Sequence, residues 1–176
     1  SNVFPVYFSN VDDGEFRYGE VSSDGRTAIT ASSTVGMTVS ESKISALDGD
    51  GIAASGATAT VTASKLDITT TNSNAQGAQV SNGGSLSITD STIVTDGSAA
   101  LEAQSHSTNA WTLVASDLRL VAKETGNFVK AISLAHTDAG GTAHLSDSET
   151  FVFDTATSFG GAMYVVGDTG TTTIEG

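Results

Sequence analysis

The 176-residue chain carries 20 acidic and only 7 basic side chains, so its formal net charge is −13. Because the basic residues are scattered, nucleic acid, heparin-like glycans and anionic membrane surfaces are poor electrostatic partners. The absence of cysteine excludes disulfides, thiolate metal sites and cysteine nucleophiles. No run of 18 apolar residues occurs, so we predict no membrane insertion by this segment.

Small and β-branched residues dominate the apolar part of the sequence. Hydrophobic residues make up 38% of the chain and the mean hydropathy is +0.01, which argues against disorder. Aromatic residues make up only 6%, which predicts a thin, repetitive core. One proline against 19 glycines favours an array of strands, because proline removes a ladder hydrogen bond and glycine suits the corners.

Residues 1–20 differ from the rest of the chain. They contain the only proline and five aromatic residues, which are Phe4, Tyr7, Phe8, Phe16 and Tyr18. An open solenoid end exposes both core and strand edge. We therefore expect an N-terminal cap over 1–20, followed by a solenoid over 21–176.

Five short segments share one pattern, in which an apolar pivot is followed three residues later by serine. The pivots are Val39, Val61, Ile88, Leu113 and Leu145, and the serines are Ser42, Ser64, Ser91, Ser116 and Ser148. A sixth pivot is Ile174, and successive pivots are 22, 27, 25, 32 and 29 residues apart. Repeats of this length are typical of solenoid coils. The alternation changes register at the serine, which indicates two short strands that meet at a corner.

A second small apolar cluster follows each pivot after a turn signal. The clusters are 52–54, 78–80, 99–101, 129–132 and 162–166, and the turns lie at 48–51, 72–74, 96–97, 125–127 and 160–161. Three strands per coil predict an all-β fold, a right-handed parallel β-helix of about five to six coils. A helical fold is disfavoured because β-branched runs such as 58–73 lack the apolar spacing of an amphipathic helix.

The stretch 74–103 resembles the coils of pertactin-like and AIDA-type autotransporter passengers. In that family a coil of the form G-G-S-L-x-I-x-x-S-x-I-x-T-x-G-x-x-A recurs. The matching residues here are Gly83, Gly84, Ser85, Leu86, Ile88, Ser91, Ile93, Thr95, Gly97 and Ala100. The resemblance covers roughly residues 35–176 and is strongest over 56–105.

The resemblance implies a secreted Gram-negative surface protein with a cleaved signal peptide and a C-terminal β-barrel translocator, neither of which lies in this chain. Passengers of this kind are mostly adhesins, self-association factors or toxins, and a minority carry a protease or esterase domain. We therefore expect an extracellular, non-enzymatic adhesin that is anchored in the outer membrane through another domain. We also expect the solenoid to continue beyond residue 176.

Catalytic patterns in the sequence are weak. Gly167-Asp168-Thr169-Gly170 is similar to the G-D-S-G of serine-protease autotransporters, but threonine replaces the nucleophile. Only His106, His136 and His144 are available as a histidine base. Polysaccharide hydrolysis needs clustered carboxylates, whereas the acidic residues here fall at different offsets in successive coils. We predict no catalytic residues, and a polysaccharide-degrading enzyme or phage tailspike is the alternative.

One acidic turn is similar to the start of a calcium loop. It is Asp48-Gly49-Asp50-Gly51, and the distal glutamate of such a loop is missing. A plain turn is therefore the favoured interpretation. The histidines are not spaced as metal ligands, so we predict no metal site and no cofactor.

Three further features are candidates for contact with a partner. Trp111 precedes the Leu113 pivot by two residues, which predicts a core position, whereas an outward Trp111 would stack on a sugar. The longest coils add residues around 121–127 and 135–142, and loops on a rigid scaffold tend to carry function. Threonines at 58, 60 and 62 or 69–71 would bind ice only on a flat face, and the irregular coil lengths predict that no such face is kept.

The working hypothesis is an adhesin that presents the side or the loops of a β-helix to a host matrix protein or glycan. Self-association through polar ladders on the flank is a further alternative. The sequence does not identify the ligand, because the binding surfaces of solenoids combine residues that are distant in the chain.

Overall fold

The computed structural model describes residues 5–72, 74–104, 108–124, 130–136, 140–154, 161–167 and 170–176. Within these ranges the chain forms sixteen β-strands and no helix. The strands are β1 (Val6–Ser9), β2 (Glu15–Arg17), β3 (Glu20–Asp24), β4 (Ile29–Ser32), β5 (Met37–Leu47), β6 (Ile52–Ser55), β7 (Thr60–Thr70), β8 (Gln76–Ser81), β9 (Ser85–Thr95), β10 (Ala99–Gln104), β11 (Trp111–Glu124), β12 (Lys130–His136), β13 (Gly141–Ser146), β14 (Glu149–Asp154), β15 (Gly161–Gly167) and β16 (Thr171–Glu175).

The strands wind into a parallel solenoid of about six turns. One sheet has seven strands in the order β1-β4-β6-β8-β10-β12-β15. The other has the order β2-β5-β7-β9-β11-β13-β16, with β3 also beside β5 and β14 also beside β11. Neighbouring strands come from successive turns, so the predicted all-β parallel β-helix is confirmed.

The two strands predicted around each serine are one bent strand in the middle coils. β5, β7, β9 and β11 contain 11 to 14 residues and run along two sides of the coil. Each bends where one residue adopts left-handed backbone, with φ between 49° and 55°. The bend residues are Glu41, Lys65, Asp90 and Asp117, and Asp147 takes the same conformation between β13 and β14.

Columns of apolar side chains fill the interior. Ile44, Ile68, Ile93 and Leu120 stack on successive coils and are almost fully buried. Stacked coils repeat at about 4.8 Å, so each side chain packs on its own counterpart. Burial of one such side chain contributes roughly 1.5–3 kcal/mol, and a thin core of this kind gains stability by repetition.

The register of the repeat differs from the prediction in two coils. Ala63 lies beside Val39, and Ala115 lies beside Ile88, in place of the predicted pivots Val61 and Leu113. The true column is Val39, Ala63, Ile88, Ala115, Leu145 and Ile174, with spacings of 24, 25, 27, 30 and 29 residues. A shift of two residues keeps a side chain on the same face of a strand, so apolar alternation alone does not distinguish the two alignments.

Because of this difference in register, the five serines that were predicted to form one column occupy two different columns. Ser42, Ser91 and Ser148 lie inside the bend, whereas Ser64 and Ser116 point outward. At the inner position the two intervening coils carry Leu66 and Leu118, which are buried. The serine prediction is therefore right for three coils and wrong for two.

Each inner serine completes the backbone ladder at the bend. The Ser91 hydroxyl donates to the Thr89 carbonyl at 2.7 Å and accepts the Leu66 N–H of the preceding coil at 3.0 Å. Ser42 and Ser148 repeat both contacts with their own neighbours. The left-handed residue interrupts the regular ladder, so a hydroxyl supplies the acceptor that the buried N–H requires.

The described part of the predicted cap pairs with the solenoid. β1 pairs with β4, and both β2 and β3 pair with β5. Phe8 and Phe16 pack against the core, and glycines at 14 and 19 leave space for the two rings. The division at residue 20 stays a prediction.

Candidate functional site

A regular surface of stacked side chains lies on the second sheet, before the bend. Its outward side chains stack in three columns across β5, β7, β9, β11, β13 and β16, and 14 of these 17 residues are serine or threonine. The columns are 60-85-112-142-171, 38-62-87-114-144-173 and 40-64-89-116-146-175. We call this surface the hydroxyl face.

The centre of the hydroxyl face is uncharged although the chain carries a net charge of −13. On β7, β9 and β11 its nine positions are eight hydroxyl side chains and Val114. Charged residues of these strands begin at the bend, with Lys65, Asp90 and Asp117. The other two exceptions on the face, His144 and Glu175, lie on its last two strands and approach each other at 3.9 Å.

The central hydroxyls are available to solvent or to a ligand. Thr60, Thr62 and Thr112 are exposed, and the other central hydroxyl residues are half-buried. Within the described residues, the structure records no hydrogen bond from these hydroxyls to other protein groups. Among the described residues, their hydrogen-bonding capacity is therefore left for solvent or a ligand.

Coil length varies without disturbing this face. The strands of the hydroxyl face pair without a break in register although the coils differ in length. The expectation that irregular coils keep no flat threonine face concerned the flatness of the face and stays a prediction. Thr60 and Thr62 belong to the face, whereas Thr58 lies in a turn and Thr70 is buried and bonded to Thr95.

A second candidate surface lies on the outer side of the first sheet. It consists of Asp50, Gln76, Gln79, Glu102, Lys130 and Tyr164 from five successive coils. We call it the polar face. Gln79, Glu102 and Tyr164 lie in one column, and Gln76 and Lys130 lie in a neighbouring one.

Hydrogen bonds fix the positions of Asp50 and Gln76 on the polar face. The Asp50 carboxylate accepts the Gln76 N–H at 2.9 Å and the Thr27 hydroxyl at 3.3 Å. The Gln76 side-chain amide donates to Ser98 Oγ at 2.9 Å and to the Asn74 carbonyl at 3.0 Å. These side chains are therefore positioned before any ligand arrives.

Two carboxyl groups on the polar face have raised pKa values. Burial raises the pKa of Glu102, and the charge of Asp50 raises it further, while Gln79 and the Lys130 ammonium act in the opposite direction. Burial also raises the pKa of Asp50, against the hydrogen bonds from Gln76 and Thr27. Burial disfavours a charged carboxylate because it removes solvating water.

An aromatic ring ends the polar face. The Lys130 ammonium lies 4.2 Å from the centroid of the Tyr164 ring, which is a cation–π contact. The Tyr164 side chain is 47% exposed, so its ring remains accessible from solvent. In its column Tyr164 is separated from Glu102 by Ser133. A half-exposed tyrosine is chemically suited to packing on a sugar or a peptide.

The acidic turn at 48–51 serves contacts between coils. Asp48 adopts left-handed backbone and accepts a hydrogen bond from the Asn72 side-chain amide of the next coil. Asp50 accepts the Gln76 N–H as described above. In the part of the chain that the structure describes, no group of three acidic or histidine side chains is arranged to hold a metal ion.

Trp111 is a core residue, as predicted. Its side chain is 1% exposed, and its indole N–H donates to the Ala135 carbonyl at 3.2 Å. It pairs with Gly141 of the next coil. The sugar-stacking role of an outward Trp111 is therefore excluded.

The other predicted candidates are only partly described. Residues 121–124 belong to β11, because Val121 and Ala122 continue its ladder with β9, so the predicted loop at 121–127 is wrong over these four residues. Residues 125–127, 137–139, 168–169 and 105–107 lie outside the described residues, as does the side chain of His136. The predicted loop at 135–142 is wrong at residues 135–136, which belong to β12, and at 141–142, which belong to β13. Its middle residues and the protease-like motif at 167–170 remain predictions.

Sequence reasoning missed both faces as units. The hydroxyl face has a signal in T-V-T-A-S (60–64) and S-L-S-I-T (85–89), where hydroxyl residues alternate with apolar ones. The polar face has no such signal, because Asp50, Gln79 and Glu102 occupy coils of different length.

Comparison with known proteins finds no match among family models, curated proteins or solved structures. No helix that could cross a membrane occurs in the described part of the chain. The protein is thus a parallel β-solenoid, and its two regular faces are its candidate functional surfaces.

Proposed function

We propose that this chain is a non-enzymatic, extracellular adhesin, the passenger region of a Gram-negative autotransporter, and that it attaches to a host glycan or matrix protein. The observation that carries the proposal is the polar face, a row of pre-positioned amide, carboxylate, ammonium and phenol groups along a rigid sheet. The resemblance of 74–103 to passenger coils supports the cellular setting.

The chemistry of the polar face favours a neutral glycan as the ligand. Amide and carboxylate oxygens of Gln79 and Glu102 accept hydrogen bonds from sugar hydroxyls, and Tyr164 packs on the apolar face of a sugar ring. The net charge of −13 disfavours sulfated or sialylated chains. Because the sheet fixes the side chains, binding costs little conformational entropy.

A binding screen tests this proposal. The purified chain is applied to a glycan array and to matrix proteins, together with Gln79→Ala, Lys130→Ala and Tyr164→Ala. We expect saturable binding that each polar-face substitution weakens. Ser87→Ala, on the hydroxyl face, is the matched control and should retain it. Saturable binding that tolerates all three polar-face substitutions would place the adhesive surface elsewhere.

A polysaccharide-degrading enzyme is the second candidate, because the polar face holds two carboxyl groups, Asp50 and Glu102, whose pKa values are both raised by burial. A protonated and an ionised carboxyl group are the pair that glycoside hydrolysis requires. Release of reducing sugar by the wild type, abolished in Asp50→Asn and Glu102→Gln, would favour the enzyme over the adhesin.

Self-association is a further route to adhesion between like cells. Sedimentation of the wild type over a range of concentrations separates it from binding to a host ligand. A dimer whose stability changes with salt would support association through a charged flank.

A further inference from the structure

The hydroxyl face is a two-dimensional lattice. Successive coils repeat at about 4.8 Å, and outward residues two apart on one strand are separated by about 6.6–6.8 Å. Three columns over five coils therefore cover an area of roughly 13 by 19 Å. Both repeats are close to distances between water oxygens on a prism face of hexagonal ice.

We propose that the hydroxyl face binds ice. A serine or threonine hydroxyl donates one hydrogen bond and accepts two, so it can replace a water molecule in a hydrogen-bonded lattice. On β7 and β9 all six outward positions carry such a group, at 60, 62, 64, 85, 87 and 89. The ligand is thus crystalline water itself, recognised by spacing and not by charge.

The absence of charge from the centre of the face is the second argument. A charged side chain orders its own hydration shell, which does not fit the lattice of ice. The chain has 27 acidic and basic side chains, yet none points outward from the hydroxyl face on β7, β9 or β11. Lys65, Asp90 and Asp117 stand at the bend that borders the face.

Rigidity is the third argument. The backbone of β9 is hydrogen-bonded to a parallel strand on each side, which fixes the position of every outward side chain. Threonine adds a restricted side-chain torsion, because its β-carbon is branched. Ordering the face against a crystal therefore costs little entropy. The methyl groups of threonine and of Val114 give apolar contact between the hydroxyls.

The introduction of one positive charge into the hydroxyl face tests the proposal. Thr62→Lys introduces an ammonium group in the middle column, and Thr69→Lys introduces the same group on the same strand beyond the bend. The wild type is expected to partition into a slowly growing ice front and to inhibit ice recrystallisation. Thr62→Lys should lose both activities, and Thr69→Lys should retain them.

A second variant makes the test independent of loss of folding. Val114→Thr places the missing hydroxyl in the middle column, and we expect it to increase inhibition of recrystallisation. Circular dichroism confirms that each variant remains folded. Exclusion of the folded wild type from ice overturns the proposal. So does an equal loss of activity in Thr62→Lys and Thr69→Lys.

The outcome does not depend on adhesion through the polar face. Thr62→Lys leaves the polar face intact, so glycan binding should persist when ice binding is lost. If Thr62→Lys instead abolishes a dimer seen by sedimentation and the wild type does not enter ice, the face is an interface between two copies and the ice proposal is wrong.

Discussion

Trp111 fills the space that a side chain at position 141 would require. A β-carbon built on Gly141 would lie 2.2 Å from Cδ2 of the Trp111 indole, which occupies the same column in the preceding coil. The large Trp111 side chain thus fits in the core because the residue that pairs with it is a glycine, so the two coils together fill the available volume.

Gly141→Ala is expected to destabilise the fold by about 1–3 kcal/mol, because the indole has to leave its position and its hydrogen bond to the Ala135 carbonyl. Urea unfolding followed by tryptophan fluorescence measures the change. Gly161→Ala is the matched control, since its new β-carbon would have only Met163 O within 4 Å, at 3.7 Å. Equal stability of the two variants would contradict the packing described.

Ser91→Ala is expected to cost about 1–3 kcal/mol, because the buried Leu66 N–H then has no acceptor. Ser87→Ala, on the exposed hydroxyl face of the same strand, should change stability little. Thermal unfolding of both variants gives the comparison. A Ser91→Ala variant as stable as the wild type would show that water replaces the hydroxyl.

Lys65→Asn is expected to stabilise the protein by up to about 1 kcal/mol, because asparagine tolerates left-handed backbone better than lysine does. Lys43→Asn is the matched control. Each lysine is exposed and lies within 4 Å of a glutamate from the preceding coil, at 3.6 Å for Lys65 and 3.9 Å for Lys43, but only Lys65 has a positive φ. If both substitutions changed the unfolding midpoint equally, the bend would not be the source of strain.

Glu102→Gln is expected to reduce the pH dependence of stability. The pKa of Glu102 is raised in the folded protein, so the folded state binds more protons than the unfolded state between the unfolded and folded values. Stability from this group is therefore gained as pH falls through the folded pKa and lost as pH rises through it. The variant should be more stable than the wild type at pH 7, and the difference should shrink toward about pH 4. A difference that is constant with pH would contradict the pKa shift.

The fold was predictable because its determinants are local and repeated. Apolar alternation, a corner serine and a turn signal recur in nearly every coil, and together they predict a parallel β-helix. The alignment of Val39 with Ala63 was not predictable, because Val61 and Ala63 both point inward and differ only in which neighbour they contact. The choice between them depends on the bend at Lys65, whose left-handed conformation has no sequence signal of its own.

The two faces were harder to predict from the sequence than the fold was, and the reasons differ. The hydroxyl face requires the correct register, since Ser64 pairs with Thr89 and not with Ser91. The polar face brings Asp50 near Glu102 across two coils. The effect of the Asp50 charge on the pKa of Glu102 therefore arises only when the coils stack. Residue type predicts what each side chain can do, whereas the pairing of strands determines which ones meet.

The resistance of this solenoid to mechanical force depends on the direction of the pull, because its hydrogen bonds share one direction. Every interstrand pairing joins one coil to the next, so the bonds run along the axis, and a pull along that axis loads them one coil at a time. Tension would therefore peel the chain from an end in steps of one coil. Each step would lengthen the chain by one unwound coil while the remaining coils keep their surfaces intact.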